Sequence, residues 1–199
     1  TPRSSSAASD VYKRQVEDAI APEQLNAARE ALTSHYPAPA EYFRDPAKHA
    51  SLTTSQFAGL EPFPWNDFAL NRLTVDPNVV GIVRALLRVD DIRLCKGELW
   101  AKYGGAIDYD QNHHRDYGNH TLTVPRRDGL YREATTFIFL SDIGPESGPT
   151  AVVPREASDA VPYHVNRAGA GAFRDVEVLA TGPAGSVMVY AYDLFHRGT

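Results

Sequence analysis

A single cysteine, Cys95, occurs in the 199 residues. One thiol excludes an internal disulfide and any multi-cysteine zinc site. A reducing, cytoplasmic setting is the expectation that follows. No apolar run approaches the roughly 18 residues that a membrane-spanning helix needs. Basic residues do not predominate: 20 Lys and Arg against 25 Asp and Glu give a formal net charge of -5, which disfavours a general nucleic-acid-binding face. The sequence carries no internal repeats. It also lacks an apolar stretch near its start, so its first residues do not read as a secretory signal. No methionine opens the chain. Thr1 to about Gln15 are rich in Ser and Ala, then turn basic at Lys13 and Arg14. Residues 1–15 read as a non-native or disordered leader, set apart from a single domain over 16–199.

What is present suits one globular domain with a sizeable core, at 43% hydrophobic and 23% charged residues. Pro22 and Glu23 fit the first turn of a helix, where a missing N–H costs nothing and a carboxylate meets the positive end. Leu25, Ala28 and Leu32 continue it at helical spacing, and Pro37 and Pro39 end it. A second helix is expected from Asn78 to Arg88, with Val79, Ile82, Val83, Leu86 and Leu87 on its buried face. From Asp91 the period changes. Ile92, Leu94, Lys96, Glu98, Trp100 and Lys102 fall on one face of an expected strand, and Cys95, Leu99, Ala101 and Tyr103 on the other. Further strands are expected over Thr135–Ile143, Thr150–Val153, Val176–Leu179 and Val187–Tyr192. Helices first and short strands after them imply a mainly β fold, a jelly roll or cupin-like barrel flanked by N-terminal helices.

Seven histidines are available to such a barrel. His114-Arg115-Asp116 is a His-x-Asp. Residues two apart on a strand share a face, so His114 and Asp116 can chelate one ion. The third ligand must come from a distant strand, and His196, just beyond the Val187–Tyr192 segment, is the best placed. Two imidazoles and one carboxylate leave the opposite side of a metal open for a bidentate cosubstrate and O2, the arrangement of non-haem Fe(II) oxygenases.

From Asp91 onward the chain resembles the phytanoyl-CoA dioxygenase-like family of Fe(II)/2-oxoglutarate oxygenases. The matching segments are His114-Arg115-Asp116, Phe137 to Ile143, Glu146 to Pro154, Gly185 to Tyr190, and Leu194-Phe195-His196-Arg197-Gly198. The resemblance implies a double-stranded β-helix core and 2-oxoglutarate as cosubstrate with O2. It implies hydroxylation of a small organic substrate, and Asp116 stands where related halogenases carry a small residue. It also implies cofactor-binding roles for Lys102, as a cosubstrate contact, and for Phe137, as the pocket floor. The family places an Arg for the far carboxylate of 2-oxoglutarate about ten residues after the distal His. That position falls beyond Thr199, so the domain is expected to be incomplete at its C-terminus, and Arg197 stands too close to His196 to replace it by alignment.

Other residues admit two readings. His113 should point away from His114, to a supporting position or to solvent. His120 is a weaker ligand candidate or a substrate contact, and His164 is structural or exposed. Trp100 and Tyr117 fit the core or a pocket wall equally well. Two further functions share the barrel: a cupin-like metal enzyme that does not use 2-oxoglutarate, and a binding module without catalysis.

Overall fold

The computed structural model describes residues 13–118 and 133–199. Helix α1 (Pro22–Leu32) starts on Pro22, as the sequence predicts, and buries Ala28. Helix α2 (Pro39–Arg44) follows after a turn. Strand β2 (Glu61–Pro62) precedes α3 (Phe68–Leu73) and α4 (Pro77–Leu87). Asp67 caps α3 by accepting from the Leu70 N–H at 3.1 Å. Asp76 caps α4 by accepting from the N–H groups of Asn78 and Val79. Each cap satisfies amides that the first helical turn leaves without partners. Arg88 ends α4 with a left-handed backbone, φ 53°.

The strands form three sheets, and every described pairing within them is antiparallel. In the largest, β7 (Val187–Ala191) lies between β1 (Lys13–Val16) and β4 (Ala134–Ile138). In the second, β5 (Ala151–Val152) lies between β6 (Val178–Leu179) and β8 (His196–Arg197). The third pairs β2 with β3 (Glu98–Leu99). A short helix, α5 (Arg155–Ser158), follows β5.

Every residue of β7 is buried. Val187 and Val189 face the helical layer and join Ala28 of α1, Leu70 and Leu73 of α3 and Val79 of α4 in one core. Met188 and Tyr190 point the other way and pack with Phe139, Val152 and Leu194. A strand covered on both faces has no polar side to show, hence the unbroken Val-Met-Val-Tyr-Ala run. The β core behind N-terminal helices is thus as expected. No helix among the described residues is long and apolar enough to cross a membrane.

Four local expectations differ from the structure. Lys13 to Gln15, grouped with the leader, pair with Tyr190, Val189 and Met188, and the Gln15 amide donates to the Thr181 carbonyl at 2.6 Å. The long strand expected over Asp91–Tyr103 shrinks to Glu98–Leu99. Alternation is only half of a strand, and here β2 offers just two residues, one of them Pro62, which has no N–H to give a ladder. The strand from Thr135 ends at Ile138, and Ile143 makes only an isolated bridge to Gly182. Finally, no helix is expected between Pro39 and Asn78, yet α2 and α3 form there, α2 with Pro39 in its first turn and α3 capped by Asp67.

Candidate metal centre

His114 lies on no regular strand. It forms isolated antiparallel bridges with Arg167 on one side and His196 on the other. The His114 N–H donates to the His196 carbonyl at 2.8 Å, and the His196 N–H returns the bond at 2.9 Å. Two residues that exchange both bonds stand directly opposite, with side chains on one face. The two imidazole centroids are 4.4 Å apart. Strand β8, which carries His196, is held on its far side by Val152 of β5, and the Val153 N–H donates to the Phe195 carbonyl at 2.8 Å.

Asp116 comes by a different route from the one the sequence suggests. It opens a 3-10 turn, Asp116–Gly118, instead of continuing a strand. The turn brings its carboxylate up against both rings: Oδ1 is 3.7 Å from His114 Nε2, and Oδ2 is 3.4 Å from His196 Nε2. Candidate ligand atoms of His114, Asp116 and His196 all lie within 4.8 Å of one another. Asp116 and His196 are buried.

The far nitrogen of each ring is engaged in the same way. His114 Nδ1 lies 3.1 Å from the Asn112 carbonyl, and His196 Nδ1 lies 3.2 Å from the Leu194 carbonyl. A carbonyl can only accept, so Nδ1 carries the proton in both rings and Nε2 keeps its lone pair when the ring is neutral. Burial pushes the His114 pKa down, and the nearby His196 ring adds to this. With both rings neutral, two lone pairs and one carboxylate face a common point.

Behind this point stands Tyr190. Its ring centroid is 4.9 Å from that of His196, and Phe137 stacks on it at 6.1 Å. Burial raises the Tyr190 hydroxyl pKa far above the usual phenol range, and the Asp116 charge adds to it. Phe137 thus meets the triad through Tyr190. Lys102 is otherwise engaged: its ammonium donates to the carbonyls of Gly148 at 2.6 Å and Thr199 at 3.2 Å, and sits 4.9 Å from the Trp100 ring centroid. Its half-buried position lowers its pKa.

Arg115, between the two proposed ligands, is buried and turned away. It donates to the carbonyls of Pro162 and Val165 and lies 4.1 Å above the Phe195 ring. Tyr117 is buried, stacks on Tyr163 and donates to its carbonyl. His164 is exposed, and His120 lies outside the described residues. His113 does point away from His114, but into the protein, where it is fully buried. It meets Glu177, a residue that no motif marked, and so does Arg197.

No protein-family model matches the chain. No curated protein matches it either. Among solved structures, EctD from S. alaskensis, in its apoform, matches with a TM-score of 0.58 at 16% identity, over 98% of this chain and 71% of that one. This chain shares that fold. HygX from Streptomyces hygroscopicus, solved with nickel and 2-oxoglutarate bound, matches with a TM-score of 0.55 at 14% identity, over 95% of this chain and 77% of that one.

Proposed function

We propose that the chain is a non-haem Fe(II)- and 2-oxoglutarate-dependent oxygenase of the phytanoyl-CoA dioxygenase-like type, hydroxylating a small organic substrate, with His114, Asp116 and His196 as iron ligands. The observation that carries this reading is the common orientation of both Nε2 lone pairs and the Asp116 carboxylate within 4.8 Å. The donor set fits a divalent ion: two neutral nitrogens and one anionic oxygen, the combination that leaves a face open. It also explains why a carboxylate is tolerated in a buried position, since an ion would neutralise it. The metal so held would supply O2 activation. The chain's part is to keep both imidazoles in one tautomer, to hold the carboxylate beneath them, and to wall off water with Tyr190 and Phe137. The shared fold with HygX, which binds nickel and 2-oxoglutarate, supports a metal and this cosubstrate.

In this reading the antiparallel sheets belong to a jelly roll within a single domain. Lys102 exchanges its carbonyl partners for a cosubstrate carboxylate. Arg197 takes no such role, because Glu177 already fills its guanidinium fork. The working setting is the cytoplasm, and the partners are small molecules rather than nucleic acid or membrane. Anaerobic titration with Fe(II) and 2-oxoglutarate, followed by a substrate screen that reads succinate, tests the proposal. Metal binding without 2-oxoglutarate-dependent succinate would point instead to a cupin-like enzyme that does not use the cosubstrate.

A further inference from the structure

The bridge that brings His114 opposite His196 also sets their neighbours opposite each other. By the same register His113 faces Arg197, and alternation turns both to the rear of the pair. There they share one carboxylate. Glu177 Oε2 lies 2.7 Å from His113 Nε2 and accepts from Arg197 Nε at 2.8 Å. Glu177 Oε1 accepts from Arg197 Nη2 at 2.6 Å. His113 and Arg197 are buried, and the Glu177 side chain is 10% exposed. The Phe173 ring meets His113 edge-on at 5.5 Å and covers it from the side. Beyond Arg197 stands Asp110, 3.3 Å from Nη1, itself paired with Arg174.

On the front, the register between the two histidines rests on one bridge, backed by the pairing of β8 with β5 and of His114 with Arg167. His114 makes a single bridge to His196, and β8 is two residues long. A slip of one residue would turn His196 to the rear and bring Arg197 forward. Two charge-assisted bonds to one guanidinium fork, with a third to the opposite ring, oppose that slip directly.

We infer that Glu177 is a positioning residue, which clamps His113 to Arg197 from behind and so sets the spacing of the His114 and His196 imidazoles for a divalent metal. This rests on the metal centre proposed above. Glu177 bonds to His113 and Arg197, the chain neighbours of the two imidazoles, so its effect on metal binding passes through the backbone it holds.

The test is calorimetric titration with Co(II) of the wild type, Asp116→Ala, Glu177→Ala and Glu177→Gln, each shown to be folded by circular dichroism, with the visible Co(II) spectrum recorded at saturation. Changes just outside a ligand set cost about 10–100-fold in metal affinity. Glu177→Ala should fall in that range with a shifted Co(II) band. Glu177→Gln, which keeps the shape and an acceptor for Arg197, should lie between it and the wild type. If Glu177→Ala does not fold, the Gln variant carries the test alone. Wild-type affinity and spectrum in the folded Glu177 variants, with Asp116→Ala still losing the metal, would overturn the positioning role and leave the centre standing. Weaker binding with an unchanged spectrum would also overturn it, as a loss of stability alone. A wild type that binds no Co(II), or an Asp116→Ala variant that binds it equally well, would remove the centre and this inference together.

Discussion

At Asp116 one carboxylate lies within 4 Å of two imidazole nitrogens, both oriented by backbone carbonyls. Asp116→Ala leaves two neutral rings and no anion, so Co(II) affinity should drop by more than the roughly 100-fold upper range for changes outside a ligand set, as read by calorimetry. That His114, Asp116 and His196 come together was legible in the sequence, because His-x-Asp is short and a His follows a strongly apolar strand. The way Asp116 arrives was not, since strand and 3-10 turn can both bring residues two apart to one ion. Glu177 had no sequence sign at all: a lone acid in a loop takes its meaning from two residues far along the chain. Its titration gives a second prediction. The Arg197 hydrogen bond holds the Glu177 carboxyl below its ordinary value of 4.5, aided by His113. A folded pKa below the unfolded one means stabilisation that is full above 4.5 and is lost as pH falls through the lowered value. The stability gap between wild type and Glu177→Gln, measured by urea unfolding, should therefore be constant from neutrality down to about pH 5 and close at lower pH.

Strand β7 organises the molecule at the next scale. Its odd-numbered valines face the helices, and Met188 and Tyr190 face the other way, where Tyr190 meets the His196 ring. Val189→Ala opens a gap in the fully buried helical face and should cost about 2 kcal/mol, whereas Phe68→Ala, at a side chain 78% exposed, should stay within about 0.5 kcal/mol. Chemical denaturation of both variants checks the contrast. Elements with their own signals were readable. Pro22 starts α1, the apolar spacing from Val79 to Leu87 marks α4, and the β-rich run of β7 marks its strand. Elements that depend on a partner were not. The alternation from Asp91 to Tyr103 satisfies a strand pattern, yet Leu94 stays exposed because no described strand lies beside it. Conversely, Lys13 to Gln15 look unremarkable alone and become a strand because β7 has an edge to offer.

Across the whole molecule, the centre joins segments that are otherwise held by a few bridges, so a bound ion should stabilise the entire fold. At a Co(II) concentration 100 times its dissociation constant the expected gain is about 2.7 kcal/mol, equivalent to a rise of roughly 5–10 °C in Tm for a domain of this size. Differential scanning calorimetry with and without a chelator measures it, and Asp116→Ala should show no such rise. The arrangement of the large sheet carries one more consequence, for the order in which the fold comes together. Gln15 pairs with Met188, and Thr136 with Val189, so both neighbours of β7 come from distant parts of the chain and neither pairing is a hairpin. Closing such loops precedes any gain from the contacts they allow, which makes folding slow relative to a helical bundle. His114 and His196 meet only after a closure of the same kind. In the proposed function, metal capture would therefore belong to the end of folding, and the ion would act as a latch on the finished protein, slowing its opening without hastening its assembly.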